Sequence, residues 1–481
     1  MTASFITTAI PFVNARPHLG FAYELVLADI LARHHRLRGR DVFFTTGTDD
    51  HSLKNAVAAA REGLATQVLV DRNADAFRAL APILGCAPDD FIQTSQDPRH
   101  RPAVEQLWRA CAADLYKASW EGRYCAGCEA FVDDYVEVCE EHGTRPEPVH
   151  EDNWFFRLSR YREPIRAAIE SGRLRIVPDA ARAETLAFLA GDVRDLSVSR
   201  VASRSGGWGL PVPDDPDQII YVWFDALVNY LSTRGEAWST SQTTHVIGKG
   251  ITRFHAVYWP AFLLSAGLPL PDRIAVHGYL TIDGEKISKS GRTVEVGPFV
   301  DACGVDALRW YFARNCRTRG DSDVRIPAVL AAHDRDLADR LGNLVHRCAT
   351  LAHKLGDGGV PAANDDELAA VVAALPAKID AALDAFLVDD AAAAIVDVLD
   401  AANRALDAAA PWRLAKTDRD AAVRALAGPV AAARAAATEL APFAPSVSRQ
   451  ILARIGVPGD PIGQGPPPLP RLVSDTRVYR P

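Results

Sequence analysis

Two lysines three residues apart stand in a short segment bounded by glycine and serine. Residues 283–291 read DGEKISKSG, which places the cations at Lys286 and Lys289. Two mobile positive charges suit a leaving pyrophosphate, on which negative charge develops as an acyl group bonds to the α-phosphate of ATP. A solvated lysine loop is the alternative interpretation of this segment taken alone.

A second candidate phosphate-binding segment lies near the N-terminus. Residues 10–24, IPFVNARPHLGFAYE, read as a strand followed by a turn and a helix, and Pro17 suits the first helical position. A helix N-terminus offers unpaired N–H groups, Gly20 would admit a flat base, and His18 could donate to a phosphate oxygen. The segment predicts an ATP cradle, with a capping or core histidine as the alternative.

Four residues have the spacing of metal ligands. Cys125 and Cys128 are separated by two residues, and so are Cys139 and His142. Three thiolates and one imidazole suit a single tetrahedral Zn²⁺, and since the protein supplies all four ligands the metal would be structural. A redox CxxC pair or free buried thiols are the alternatives.

The elements that must position these residues can be read from the hydrophobic pattern. Residues 5–10 and 42–46 read as strands, and residues 21–37 and 53–60 as helices, which predicts a parallel sheet with crossover helices. The pattern is irregular from about residue 116 to 217 and then returns to α/β. We therefore expect an insertion that splits one fold, followed by a helical bundle and a Pro/Gly-rich tail.

Overall charge limits the classes of partner. The chain of 481 residues carries a formal net charge of −8, so any contact with RNA must rest on a local basic face. The first residues lack the basic region and apolar run of a signal peptide, and no apolar stretch approaches about 18 residues. We expect no membrane attachment and a cytoplasmic location.

Taken together, these segments resemble the class I aminoacyl-tRNA synthetases. Residues 17–21, PHLGF, are similar to the HIGH motif of that family, and residues 286–290, KISKS, to its KMSKS motif. Three further blocks resemble the methionine branch: residues 44–51 (FTTGTDDH), 221–230 (YVWFDALVNY) and 245–260 (HVIGKGITRFHAVYWP). The similarity runs over essentially the whole chain.

The resemblance implies an α/β fold with a split Rossmann-type nucleotide-binding domain, a zinc-knuckle insertion and an α-helical anticodon-binding-type bundle. The boundaries we predict are 1–115 for the first half of the catalytic domain, 116–217 for the connective insertion, 218–327 for the second half with the lysine loop, 328–457 for the helical domain and 458–481 for the extended tail.

The resemblance also implies a substrate and the residues that hold it. A methionine side chain is long, apolar and soft, so its pocket should offer aromatic walls and a weak polar partner for sulfur. By resemblance, Asp49 accepts the substrate ammonium, and Tyr230 and His255 lie near the thioether. The other implied pocket residues are Ile10, Trp223, Ala226, Leu227, Ile251 and Trp259. As bare residues, this aromatic stripe would be read as core packing.

For ATP, which would enter with Mg²⁺, the resemblance implies binding by His18, Gly20, Glu24, Gly248, Lys249, Lys286 and Lys289. Of these, His18, Lys286 and Lys289 would stabilise the transition state. Asn343 and Arg347, one helical turn apart, and Trp412 would hold the anticodon of tRNA(Met), because an exposed tryptophan can stack on an unstacked base. Packing between helices is the alternative for Trp412.

Four positions depart from the family pattern, and the mildest is Ile287 in place of the methionine of KMSKS. Phe21 replaces the second histidine of HIGH, and such a donor is worth about 2.7–4 kcal/mol in other active sites. Gly250 replaces the aspartate usual after Gly-Lys, which removes a ribose partner, and Ser52 stands where the family has glycine.

Two enzymatic hypotheses follow. The first is an enzyme that forms methionyl-adenylate and charges tRNA(Met). The second is a tRNA-independent relative that passes an activated amino acid to a small-molecule acceptor, for example in hydrazine formation with a cupin partner. The apparent anticodon residues favour the first, whereas Phe21 and Gly250 favour the second or a weakened enzyme. A tRNA-binding regulator without catalysis is a third hypothesis, disfavoured by the two retained loop lysines.

Overall fold

The computed structural model describes residues 3–125, 130–132, 137–139, 143–287, 294–363, 367–458 and 460–472, with the backbone alone at 130–132, 204, 205 and 286. The chain divides into two compact units. The first, here called the sheet unit, comprises Met1–Pro17, Phe43–Leu80 and Pro88–Val276. The second, the helical unit, comprises His18–Val42, Ala81–Ala87 and His277–Pro481.

The strands of the described chain are β1 (Ser4–Thr8), β2 (Val42–Thr48), β3 (Asp90–Gln93), β4 (Leu115–Cys125), β5 (Ala130–Val132), β6 (Glu147–Phe156), β7 (Arg175–Val177), β8 (Leu196–Ser197), β9 (Ser199–Val201), β10 (Pro211–Val212), β11 (Asp215–Ile220), β12 (Gln242–Gly248), β13 (Arg273–His277), β14 (Leu280–Ile282), β15 (Glu285–Lys286) and β16 (Ser322–Asp323).

The α-helices of the described chain are α1 (Leu19–Leu37), α2 (Leu53–Glu62), α3 (Thr66–Ile83), α4 (His100–Ala110), α5 (Arg162–Glu170), α6 (Asp179–Ala190), α7 (Val222–Leu227), α8 (Asn229–Arg234), α9 (Trp259–Ser265), α10 (Gly297–Cys303), α11 (Val305–Asn315), α12 (Ile326–Ala332), α13 (Asn343–Leu355), α14 (Glu367–Asp384), α15 (Val388–Ala409), α16 (Pro411–Leu414), α17 (Arg419–Arg424), α18 (Ala427–Leu440) and α19 (Pro445–Ile455). Short 3₁₀ helices span Ala112–Asp114, Leu158–Tyr161, Ala202–Ser205, Gly235–Thr240 and Lys249–Ile251, and π-helices span Phe254–Tyr258 and His333–Gly342.

A six-stranded sheet in the order β3-β2-β1-β12-β13-β7 forms the centre of the sheet unit. The pairs β1–β12, β2–β3 and β13–β7 are parallel, and every residue of β1 is buried. Strands buried on both faces need continuous apolar or small side chains, as β1 has in its sequence SFITT. The predicted α/β fold of Rossmann type is confirmed.

Two smaller sheets belong to the same unit and lie within the segment predicted as an insertion. One has the order β5-β4-β6-β8, and its long β4–β6 pair is antiparallel. The other has the order β10-β11-β9. Apart from β4 and β6, the strands of these sheets have two to six residues. These short strands and the turns between them explain why much of this stretch reads as irregular in the sequence.

The helical unit is an Ala/Leu-rich bundle, as predicted. Helix α15 packs against α14 and α18, and α18 packs against α19. A buried ion pair joins α1 to α11 within this unit: Arg309 Nη2 lies 2.7 Å from Asp29 Oδ2 and 2.8 Å from the carbonyl oxygen of Pro442. Both charges are fully buried, so each compensates the desolvation of the other.

The tail after α19 crosses the bundle surface without regular structure. Ile462 and Leu469 are buried, and Arg471 makes two hydrogen bonds to Asp339. Within the described chain, no helix combines the length and apolar character needed to cross a lipid bilayer.

Candidate active site

The residues predicted to bind the amino acid follow the ends of parallel strands in the sheet unit. Ile10 follows β1 and Asp49 follows β2, and an isolated parallel bridge joins Phe12 to Asp49. The remaining candidates stand on α7, α8 and the segment after β12. Because the carboxyl ends of parallel strands share one edge of a sheet, this is where such folds bind ligands.

His255 and Tyr230 form a buried hydrogen-bonded pair. His255 Nδ1 lies 3.1 Å from the carbonyl oxygen of Ile251, so it carries the ring hydrogen. Its Nε2 is then an acceptor and lies 2.7 Å from Tyr230 Oη, which donates. Burial lowers the pKa of His255 to about 4. The pair is therefore neutral at pH 7, as an apolar substrate side chain requires.

Aromatic rings enclose this pair. Trp223 stacks on Phe254 with ring centroids 3.7 Å apart and planes 10° apart, and Phe12 lies 6.1 Å from Trp223. Trp259 meets Tyr230 edge-on at 5.9 Å. Offset and edge-to-face pairs of this kind fix ring positions. The cluster thus has defined walls.

The other apolar candidates lie behind these walls. Ile10 and Ala226 form a small buried cluster with Ile92, and Leu227 is in the main core of the unit. Ile251 is partly buried and packs against that core. These four positions belong to the apolar packing of the unit that holds the rings.

Two polar atoms of this aromatic cluster are buried and have no hydrogen-bond partner in the described chain: Trp259 Nε1 and His245 Nε2. His245 stands on β12 with its Nδ1 2.8 Å from Thr7 Oγ1, and burial together with nearby His255 holds its pKa well below the ordinary value. An unpaired buried donor is costly unless a ligand or water satisfies it. Nothing in the sequence pattern singled out His245, although it opens one of the quoted blocks.

Asp49 is buried, and residues that follow it closely in the sequence hold it by hydrogen bonds. One of its carboxylate oxygens accepts from the backbone N–H of His51 at 3.2 Å, and its carbonyl oxygen accepts from Asn55 Nδ2 at 3.1 Å. These bonds set the orientation of the carboxylate that we predict to accept the substrate ammonium.

A second titratable cluster lies directly beside Asp49. His51 Nδ1 is 2.6 Å from Asp225 Oδ2, and His100 Nε2 is 2.7 Å from Asp225 Oδ1. Burial opposes ionisation of Asp225, but the two imidazoles outweigh it and hold its pKa below the ordinary value. Burial likewise opposes the charged form of His51, yet Asp225 raises the pKa of that imidazole.

The three side chains lie close enough to share a cation. However, each carboxylate oxygen already sits at hydrogen-bond distance from an imidazole nitrogen. We therefore interpret the cluster as a hydrogen-bonded relay that fixes the 49–51 turn. Two members stand in quoted blocks, but nothing in the sequence connects His100 to them.

Gly248 and Lys249 also belong to the sheet unit. Gly248 ends β12, and Lys249 begins the 3₁₀ helix Lys249–Ile251 with an exposed side chain. Gly250 lies in that exposed helix. Where the family usually has an aspartate, this chain therefore presents only solvent-accessible backbone.

His18, in the helical unit, caps α1. Its Nδ1 accepts from the backbone N–H of Gly20 at 3.1 Å, so the neutral ring carries its hydrogen on Nε2, the atom that would donate to a phosphate. A Cβ at Gly20 would lie 2.9 Å from His18 Cε1, so a larger residue there would displace the capping imidazole. Pro17 is not the first helical residue as predicted, because the histidine side chain takes the capping position and α1 begins at Leu19.

Phe21 and Glu24 are buried on the first turns of α1. Glu24 Oε2 lies 3.1 Å from His277 Nε2, and His277 Nδ1 lies 2.8 Å from the carbonyl oxygen of Gly278. Any contact of Glu24 with a nucleotide would therefore be shared with this histidine.

The lysine segment is described only in part. The backbone of Lys286 ends β15 and pairs with Thr281 of β14, whereas Lys289 lies outside the described residues. Leu19 N–H, at the start of α1, donates to the carbonyl oxygen of Val294 at 2.9 Å.

Of the four predicted zinc ligands, Cys125 and Cys139 are described, and Cys128 and His142 lie outside the described residues. Both described cysteines are buried, and both lie next to Thr144. Cys125 Sγ is 3.8 Å from Thr144 Oγ1, and Cys139 N–H donates to the carbonyl oxygen of Thr144 at 2.8 Å. Two buried thiols held near the same residue fit the donor chemistry of zinc.

The predicted anticodon residues come together in the helical unit. Asn343 is exposed at the first position of α13, and Arg347 lies over the ring of Trp412, 5.4 Å from its centroid. Trp412 is 40% exposed, too open for a residue packed between helices. Arg347 is also paired with Asp407 at 2.5 Å.

The parallel sheet with a ligand edge, the capped helix and the helical bundle define a class I aminoacyl-tRNA synthetase. A family profile described as tRNA synthetases class I (M) matches residues 4–145 and 136–349, and one described as the anticodon binding domain of methionyl tRNA ligase matches residues 355–461. The chain belongs to the methionyl-tRNA synthetase family.

Individual relatives agree with this assignment. The methionine–tRNA ligase of Mesorhizobium japonicum is 37% identical over 477 residues, covering 95% of this chain and 92% of its own. That of Mycobacterium bovis is 40% identical over 446 residues, covering 88% and 85%. The solved structure of Mycobacterium tuberculosis methionyl-tRNA synthetase in complex with methionyl-adenylate has a TM-score of 0.91 at 36% identity and covers 98% of this chain and 100% of its own.

Proposed function

We propose that this chain activates methionine with ATP to methionyl-adenylate and transfers the methionyl group to tRNA(Met). The observation that carries this function is the neutral, buried Tyr230–His255 pair inside an aromatic cluster. Such a pocket accepts a long thioether side chain and excludes charged ones. The similarity to methionine-specific relatives supports the same substrate.

In the first step, an oxygen of the methionine carboxylate bonds to the α-phosphorus of ATP, and the bond to pyrophosphate breaks. Asp49 holds the substrate ammonium. His18 Nε2–H would donate to the phosphates, and Lys286 and Lys289 would neutralise the charge gained by the leaving pyrophosphate. In the second step, a hydroxyl of the tRNA 3′-adenosine attacks the carbonyl carbon and AMP leaves.

The metals follow from the same assignment. Mg²⁺ would enter with the ATP phosphates. One structural Zn²⁺ would be held by Cys125, Cys128, Cys139 and His142, where it would supply folding free energy to the insertion. None of the chemical steps requires the zinc.

The rest of the predicted layout becomes part of this proposal. The catalytic domain would comprise 1–115 and 218–327, the insertion 116–217, the anticodon domain 328–457 and the tail 458–481. Asn343, Arg347 and Trp412 would hold the anticodon, and the exposed ring of Trp412 supports stacking on a base. Because its proposed tRNA substrate is cytoplasmic, we propose that the protein acts there.

Phe21 and Gly250 favour one competing function, transfer of the activated amino acid to a small-molecule acceptor, with a cupin partner as one example. Both functions share the first step. They differ only in the acceptor, so the first step and the acceptor must be measured separately.

Amino-acid-dependent ATP–pyrophosphate exchange, measured over all twenty amino acids, tests the first step. We expect exchange with methionine alone. Charging of initiator tRNA with radiolabelled methionine then tests the second step. Exchange without charging would overturn the tRNA assignment in favour of the small-molecule acceptor, and a lack of exchange with every amino acid would overturn both.

A further inference from the structure

A cavity of about 640 Å³ lies in the helical unit, further along α13 than the proposed anticodon residues. The last turns of α13, the end of α19 and the tail form its walls. Its lining residues are Ala349, Thr350, His353, Lys354, Arg454, Gln464 and Gly465.

The lining is basic. Lys354 is exposed, and its ammonium makes no hydrogen bond or ion pair with the described residues. Arg454 Nη2 donates to the carbonyl oxygen of Gly465 at 2.7 Å, while its Nε is buried and has no partner among the described residues. His353 Nε2 lies 2.6 Å from the carbonyl oxygen of Ile462. Among the described lining residues none is acidic, so the cavity attracts an anion.

The cavity lies on the same face of α13 as the proposed anticodon residues. Asn343, Arg347, Thr350 and Lys354 follow one another at steps of three or four residues, which is one stripe of an α-helix. At 1.5 Å per residue, Lys354 lies about 10 Å along the helix from Arg347. An RNA strand whose bases reach Asn343 and Trp412 could follow this stripe to the cavity.

We propose that this cavity binds a backbone phosphate of the RNA strand that continues from the anticodon loop. The inference rests on the proposed tRNA substrate. Lys354 and the guanidinium of Arg454 supply the positive charge, and the exposed Thr350 hydroxyl between Arg347 and Lys354 supplies a donor. Contacts of this kind fix register and orientation and carry no base specificity.

The overall charge supports a local site of this sort. A net charge of −8 gives the protein no overall electrostatic attraction for RNA. Binding must therefore concentrate at a few cationic points, and each phosphate neutralised contributes to the salt dependence of the affinity.

The test is the affinity for tRNA(Met), measured by fluorescence anisotropy over a series of salt concentrations. For Lys354→Gln we expect weaker binding, by about threefold to tenfold, and a log–log salt slope smaller by about one, as expected for one lost phosphate contact. Arg454→Gln should act in the same direction. Lys378→Gln, which removes an exposed cation of α14 outside the cavity, is the matched control and should leave the slope unchanged.

Lys354 is the decisive position, because its side chain holds no other described residue in place and its loss cannot act through a loosened tail. A wild-type slope and affinity in Lys354→Gln, with normal charging by the wild-type protein, would overturn the phosphate site and leave the proposed function intact. Wild-type protein that activates methionine but neither binds nor charges tRNA would overturn the proposed acceptor and the phosphate site together. Binding with the expected slope change but without charging would support the site and overturn the acceptor.

Discussion

The Tyr230 hydroxyl has one hydrogen, and the geometry directs it to His255 Nε2. This bond keeps a buried imidazole satisfied without a charge, which is the condition for an apolar pocket that still contains polar atoms. His255, which we propose to lie near the substrate thioether, is therefore itself held by a second residue.

Tyr230→Phe removes that hydrogen bond and leaves His255 Nε2 buried without a partner. A stranded polar group of this kind costs about 1–3 kcal/mol, so we expect the KM for methionine in ATP–pyrophosphate exchange to rise tenfold or more, with a smaller effect on the KM for ATP. Tyr311→Phe is a matched control, since its hydroxyl donates to the Asp323 carbonyl at 3.0 Å in the helical unit. An unchanged KM for methionine would contradict the assigned pocket.

Asp225→Asn tests the relay through its pH dependence. The lowered pKa of Asp225 stabilises the fold above the ordinary carboxyl pKa, and this is lost as pH falls through the folded value. The raised pKa of His51 stabilises the fold below the ordinary imidazole pKa, and this is lost as pH rises through the folded value. The free energy of unfolding of the variant should therefore fall furthest below that of the wild type, by about 3 kcal/mol, at pH values between the ordinary carboxyl pKa and the ordinary imidazole pKa.

Thermal unfolding midpoints of the wild type and Asp225→Asn, measured from pH 4 to 9, check this. The gap between the two proteins should be widest near pH 5–6 and narrow as His51 loses its charge. Asp400→Asn, at a partly exposed carboxylate paired with Arg340 at 2.7 Å, should show no such window. A gap that is constant across the range would exclude the charged pair.

Phe21→His tests whether the departure from the family pattern limits catalysis. A restored donor near His18 should raise the rate of ATP–pyrophosphate exchange by about tenfold to a hundredfold, since such donors are worth about 10²–10³ in rate elsewhere. Phe299→His, another buried phenylalanine in the helical unit, controls for the cost of burying an imidazole. A folded Phe21→His protein with an unchanged rate would show that the phenylalanine is not limiting.

At the scale of elements, the π-helix Phe254–Tyr258 aims His255 at Tyr230. An extra residue per turn changes which side chains share a face, and such turns are frequent at functional sites. The sequence predicted the residues of this segment but not its geometry, because hydrophobic spacing over five residues does not distinguish a π turn from an α turn. The relay to His100 was missed for a related reason: its three residues lie on separate elements that only the folded chain brings together.

The insertion gives a prediction at the same scale. Cys125→Ser removes one proposed ligand at the end of β4, so purified protein should contain less than one equivalent of zinc and unfold at a lower temperature. Elemental analysis and thermal unfolding measure the two effects. Cys348→Ser, a buried cysteine of α13, is the control and should keep its zinc. A full equivalent of zinc in Cys125→Ser would disprove the assignment of this ligand.

At the scale of the whole molecule, the periodicity of apolar residues and the amino-acid composition were enough to predict the class of fold. The alternation of buried strands with helices predicted the parallel sheet, and the Ala/Leu-rich last third predicted the bundle. Pattern could not predict which residues the tail would contact, because a Pro/Gly-rich segment has no periodicity. Its contacts depend on where Gly342 leaves room for Leu469, whose Cβ would lie 3.0 Å from a Cβ at residue 342.

Leu469→Ala tests how much the tail contributes to stability. Burying a leucine is worth about 1.5–3 kcal/mol, so the free energy of unfolding of the variant should fall by up to that amount. Its denaturant midpoint should fall accordingly. Val457→Ala, at a side chain 63% exposed, should be neutral. Equal stability of the two variants would mean that the tail is not docked in solution.

The hydrogen bond from Leu19 N–H to the Val294 carbonyl oxygen has a further consequence. It joins the first residue of α1 to the chain that follows the lysine segment, about 275 residues further along the sequence, so a backbone contact links the regions of the two signature motifs. Substitutions in either motif should therefore be read as a pair. We therefore expect that the kinetic effects of a substitution at His18 and of one in the lysine segment will not be additive.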